Sequence, residues 1–171
     1  AVNRWTTGIR VDSNNVTITG VHIGIDADGI TIPPVEDRQI DGIEIRGQNN
    51  SVLGSRDAMS RASNSDITGN QLRGIYINGA GATGNRVSGV DFGFANGKVP
   101  DESITVSQLS IEQAQNNTIG GTTNADLNVI AAPDGDAIEL DRGASNNFVK
   151  GNSIGFCGTA IFIGQASNNN Q

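Results

Sequence analysis

Gly42-Ile43-Glu44-Ile45, followed by Asn49-Asn50-Ser51-Val52-Leu53-Gly54, is the stretch on which the fold turns. The first segment alternates apolar and variable residues, the period-2 mark of a strand with one buried face. It recurs as Gly8-Ile9-Arg10-Val11, Gly74-Ile75-Tyr76-Ile77, Ala137-Ile138-Glu139-Leu140 and Ala160-Ile161-Phe162-Ile163, and more loosely at Ser110-Ile111-Glu112. The second segment recurs at 15–20, 84–89, 116–121 and 146–151, always closing on Gly. Its fourth position is β-branched every time: Ile18, Val52, Val87, Ile119, Val149. Its second position is Asn50, Asn85, Asn117 or Asn147, with Val16 the exception.

Recurrence of this kind is the sequence signature of a repeat architecture. The first strands begin at 8, 42, 74, 110, 137 and 160, spacings of 23 to 36 residues. Tight hairpin signals and amphipathic helical patterns are both missing, which argues against a sandwich and against βαβ units. Asn suits the corners, because it tolerates left-handed backbone and its amides hydrogen-bond in stacked ladders. The expectation is an all-β chain, a right-handed parallel β-helix or solenoid of about six coils. Residues 1–171 then form one such domain, an uncapped segment of a longer solenoid or a stacking subunit. Neither Ala1-Val2-Asn3-Arg4-Trp5 nor Asn168-Asn169-Asn170-Gln171 reads as a cap.

Asn116-Asn117-Thr118-Ile119-Gly120-Gly121-Thr122-Thr123, with Asn128-Val129-Ile130 and Gly151-Asn152-Ser153-Ile154-Gly155, resembles the repeat of secreted bacterial right-handed parallel β-helix proteins of the pectate-lyase-like solenoid superfamily. The resemblance implies the fold and an extracellular or cell-surface setting. That superfamily holds surface proteins as well as carbohydrate-active enzymes, so no reaction follows from it. The inserts at 26–41 and 95–108 depart from the repeat.

Composition narrows the partners. The formal net charge is −7, which disfavours a nucleic-acid partner. No apolar run approaches the roughly 20 residues of a membrane span. With Cys157 alone, no internal disulfide forms; it is expected at a half-buried turn.

On the outward face of the repeated strands, Arg10, Glu44, Tyr76, Glu112, Glu139 and Phe162 are expected to share one column, with Asp12, Arg46, Asn78, Ala114, Asp141 and Gly164 in the next. Glu112 and Glu139 would then stand about 4.8 Å apart, near the spacing of a retaining glycosidase pair. Tyr76, Glu112, Glu139, Asp141 and Phe162 are the candidate sugar face, the aromatics serving as stacking platforms. No Arg or Lys cluster is evident beside these acids, and the sole histidine, His22, is read as solvent-facing. Asp26 and Asp28, before Gly29, faintly suggest a Ca²⁺ loop, although the distal Glu of an EF-hand is missing. No catalytic set converges. The expected function is therefore a non-catalytic extracellular structural or adhesive protein that associates end to end into a fibre. A polysaccharide-binding or carbohydrate-active protein and a phage tail-spike segment are the alternatives.

Overall fold

A computed structural model describes residues 5–26, 31–56, 63–95, 99–100 and 106–171. Among the described residues the chain is all-β and predominantly parallel-stranded, with helix confined to two short 3-10 turns, Val35–Asp37 and Asn124–Asp126. The repeated first strand forms β1 (Thr7–Val11), β4 (Asp41–Ile45), β7 (Arg73–Asn78), β12 (Ser107–Glu112), β14 (Val129–Asp141) and β16 (Ser153–Ile163). Short strands β3 (His22–Ile23), β6 (Asp66–Ile67) and β9 (Asp91–Phe92) follow the second segments. Those second segments are themselves β2 (Thr17–Thr19), β5 (Ser51–Leu53), β8 (Arg86–Ser88), β13 (Thr118–Gly120) and β15 (Phe148–Lys150). A small antiparallel pair, β10 (Phe94–Ala95) and β11 (Val99–Pro100), stands apart.

The chain does not form the clear right-handed β-helix solenoid of about six coils that the repeat leads one to expect. A clear solenoid keeps each face as its own ladder; this chain fuses two of them. The nine-stranded sheet runs β1-β4-β7-β12-β14-β9-β6-β3, with β16 also on β14, and it wraps round the core as a near-barrel beside the five-stranded sheet β15-β13-β8-β5-β2. The physical reason lies in β14. After β3 and β9 the chain turns at Gly24 (φ +82°) and Gly93 (φ +76°), conformations an L-residue rarely adopts. A Cβ on Gly93 would stand 2.0 Å from the Ala131 carbonyl oxygen. At the matching place β14 carries Ala131-Ala132, stays extended for 13 residues, and so pairs β9 with its beginning and β12 with its end.

The core is made of stacked columns. Ile43, Ile75, Leu109 and Ile138 form one, and Ile45, Ile77, Ile111 and Leu140 the next, all at most 1% exposed. Each such aliphatic side chain contributes about 1.5–3 kcal/mol by leaving water. Val52, Val87 and Ile119 close the core from the five-stranded sheet. Outward on that sheet stand the column Thr17-Ser51-Arg86-Thr118-Phe148 and the shorter rows Thr19-Leu53-Ser88 and Gly120-Lys150.

The corner asparagines do two different jobs. Asn15, Asn49, Asn116 and Asn146 take left-handed φ between 55° and 58°. Their neighbours form a buried ladder instead. The backbone N–H of Asn50 donates to Asn85 Oδ1 (2.8 Å), that of Asn85 to Asn117 Oδ1 (2.9 Å), and that of Asn117 to Asn147 Oδ1 (2.9 Å). Each side chain thus satisfies a corner amide that β-pairing leaves over. The Val16 N–H is served by Asn50 Oδ1 (2.8 Å), so Val16 needs no amide of its own for that bond.

Candidate functional site

Register decides what the outer face of the nine-stranded sheet can do. Leu109, not Ile111, lies beside Ile75 and Ile138, so the expected alignment of β12 is off by two residues. Gln108 fills the slot that Gly74 and Ala137 hold elsewhere; it is buried, and its Nε2 donates to the Ala131 carbonyl (2.8 Å). Consequently the column reads Arg10-Glu44-Tyr76-Ser110-Glu139-Phe162, and Glu112 belongs to the next one, between Asn78 and Asp141. Glu112 and Glu139 are not neighbours. The carboxylates that adjoin are Glu112 and Asp141.

Of the expected site residues, Tyr76, Glu112 and Asp141 come together, while Glu139 and Phe162 sit side by side in the adjoining column. Glu112 is 4% exposed, with a cation near each of its oxygens. The Tyr76 hydroxyl donates to its Oε2 at 2.9 Å, Arg142 Nη1 lies 3.0 Å from the same oxygen, and Arg73 Nη2 is 3.7 Å from Oε1. Arg73 also lies over the Tyr76 ring, 3.9 Å from its centroid, and bonds Asp41 at 3.1 Å. Burial, reinforced by the bond to Glu112, pushes the Tyr76 hydroxyl up to about 12, so it remains a donor at neutral pH. Burial also raises the Asp41 carboxyl, with Arg73 pulling the other way.

Two arginines therefore accompany these acids, where none was expected. Arg73 heads β7 and Arg142 lies in the turn after β14, both outside the four-residue window that defines the repeat. Their long side chains reach back over the sheet. Glu139 is less engaged: its Oε2 accepts from Ser107 Oγ at 3.2 Å. Phe162 is 42% exposed. Asp141 keeps a buried Oδ1 without a hydrogen bond and has Arg142 Nε at 4.0 Å from Oδ2. The pairs Arg10–Asp12 (3.0 Å) and Arg46–Glu44 (2.6 Å) close mainly within their own segments, and Arg10 reaches Glu44 across strands only at 3.9 Å.

A second cluster escaped the sequence reading. His22, Asp66 and Asp91 stand in register on β3, β6 and β9. His22 Nδ1 lies 3.1 Å from Asp66 Oδ2, and Arg56 pairs with Asp91 while donating through Nε to the Leu127 carbonyl at 2.6 Å. Burial pushes the Asp66 carboxyl up to about 6, His22 opposing and Asp91 adding to the rise. His22 is thus exposed but partnered. The three residues are far apart in sequence, and only strand pairing brings them together.

No family model, curated protein or solved structure matches this chain.

For the Ca²⁺ expectation, Asp26 is exposed after β3, and Asp28 lies outside the described residues. Among the described residues, no three His, Cys, Asp or Glu side chains converge on a point where a metal ion would sit. No helix of the described residues is long and apolar enough to cross a membrane. Cys157 is half-buried within β16 rather than at a turn.

Proposed function

We propose that this chain is a non-catalytic structural and adhesive part of an extracellular protein, and that it associates with like chains through its strand edges. The observation that carries the reading is the engagement of Glu112. A glycosidase nucleophile or acid must be free to meet substrate, and Glu112 already accepts hydrogen bonds from Tyr76 and Arg142, with Arg73 at ion-pair distance (3.7 Å) from its other oxygen. Such a network ties three parallel strands together on their outer side, which is a structural role.

Edge association is supported by β16. It pairs β14 on one side, and Ile161 and Ile163, in line with the buried core columns, are 42% and 55% exposed there. Unpaired strand edges beside exposed core-type side chains invite strand addition.

Two measurements test the reading. Electron microscopy and sedimentation of the purified chain are expected to show concentration-dependent association that the double substitution Ile161→Asp, Ile163→Asp abolishes. Incubation with neutral and acidic polysaccharides is expected to release no new reducing ends and no unsaturated product. Turnover that Glu112→Gln or Glu139→Gln removes would overturn the reading.

A further inference from the structure

The five-stranded sheet carries a site of a different kind. Its outward columns contain two cations, Arg86 and Lys150, and no carboxylate, in a chain with 18 acidic and 11 basic residues. Two shallow depressions of about 360 and 300 Å³ lie on this face. Arg86 and Asp126 line both, so the two meet across that ion pair. The 3-10 turn Asn124–Asp126 forms the ledge; Thr123 Oγ1 donates to Asp126 Oδ2 at 2.8 Å and orients the carboxylate. Arg86 Nε donates to Ser88 Oγ at 3.2 Å, which fixes the guanidinium against the sheet. Thr118 and Lys150 line the second depression, and Phe148, 39% exposed, stands directly beside Thr118 on the neighbouring strand.

Each element suits a sugar. Ring hydroxyls need donors and acceptors held close together, which a fixed Arg–carboxylate pair and flanking hydroxyls supply. An exposed aromatic beside a polar depression offers a face for the apolar side of a pyranose. The Asp126 carboxylate already balances Arg86. The Lys150 ammonium makes no hydrogen bond or ion pair among the described residues, which leaves one uncompensated positive charge at the rim.

We propose that these joined depressions bind a sugar unit carrying an anionic substituent, a carboxylate or a sulfate. Lys150 meets the anion, the Arg86–Asp126 pair and Thr118 meet ring hydroxyls, and Phe148 stacks against the ring. The site gives the adhesive reading a ligand, yet it does not depend on edge association: blocking either leaves the other intact.

Calorimetric titration of the full chain with three oligosaccharides tests it: heparin-derived, galacturonate and neutral glucan. At least one acidic oligosaccharide is expected to bind, weakening with added salt, while the neutral one does not. Sulfate-only or uronate-only binding would each support the site and name the substituent. Lys150→Gln is expected to weaken binding by about tenfold or more, with Glu139→Gln on the other sheet within about twofold of the parent. Circular dichroism checks folding, and Thr118→Val, expected to weaken binding by a smaller factor, replaces Lys150→Gln should that variant misfold. The proposal falls if no acidic oligosaccharide binds or if the neutral glucan binds equally well. It falls also if Lys150→Gln changes nothing, or if polyglutamate binds with the same dependence on Lys150.

Discussion

The two large sheets of this protein treat charge in opposite ways. On the nine-stranded sheet, Glu112, Asp41, Asp66 and Asp91 are nearly buried, and each has a basic partner: Arg142 with Arg73, Arg73, His22 and Arg56 respectively. On the five-stranded sheet, Lys150 is exposed with no carboxylate bound to it, and the Arg86–Asp126 pair is open to solvent. A row of acids on a sheet looks like chemistry when read from sequence. What separates a binding group from a structural one is whether its bonding capacity is already used. Buried pairs resist rearrangement because breaking one strands a charge in low dielectric, whereas an exposed cation exchanges water for a ligand at little cost.

That contrast yields predictions of decreasing size. The ladder that links the two sheets should be the most sensitive element. Asn117→Ala removes the acceptor of the Asn85 N–H and the donor to the Ala82 carbonyl, both buried, and should cost about 3–5 kcal/mol in urea denaturation. Glu112→Gln should cost about 2–4 kcal/mol, because Arg73 and Tyr76 lose a charged partner inside the face. A loss under about 0.5 kcal/mol would mean that this carboxylate is not structural, and the contrast between the sheets would fail.

Next comes pH. The Asp66 carboxyl is raised from 3.8 to about 6, so the folded state holds the proton more tightly than the unfolded one. Its contribution is fully present below pH 3.8 and is lost as pH rises through about 6. Asp66→Asn should therefore flatten the stability–pH curve between about pH 4 and 6, removing at most about 3 kcal/mol of slope. An unchanged slope would place the titration elsewhere, Asp41 being raised in the same direction. Smallest of all, Lys150→Gln should leave stability within about 0.5 kcal/mol, since its side chain holds nothing in the fold. A larger loss would give the five-stranded face the same structural character as the other and erase the comparison.

The strands themselves were legible. The Gly-Ile-x-Ile windows became β4 and β7, and the Asn-rich blocks became β5, β8, β13 and β15, with left-handed asparagines at the expected corners. Two things were not. Gln108-Leu109-Ser110-Ile111 holds the apolar-x-apolar pair Leu109 and Ile111, but Gln108 stands where the other repeats carry Gly or Ala, so the small residue Ser110 offers a competing start for the window. Only pairing with β7 and β14 selects Leu109, and that choice moves Glu112 away from Glu139. The arginines were missed because a guanidinium on a long stem acts well away from its own Cα. Arg73 and Arg142 enter the acid cluster from a strand head and a turn, and no spacing rule announces that.

Taken alone, the sequence determined an all-β chain of short parallel strands with apolar columns inward and asparagines at the corners, because side-chain alternation and backbone preference are local properties. Tertiary structure alone decided how the sheets close and which charges meet. Ala131-Ala132 lets β14 run on and curl two ladders into one near-barrel sheet, a consequence visible only when β9 and β12 are both in place. The partners of Glu112 and Asp66 come from segments some 30 to 44 residues away in the chain, and the open groove around Arg86 and Lys150 forms only where β8, β13 and β15 stand side by side. Contacts of that range depend on register and closure, which no local pattern encodes.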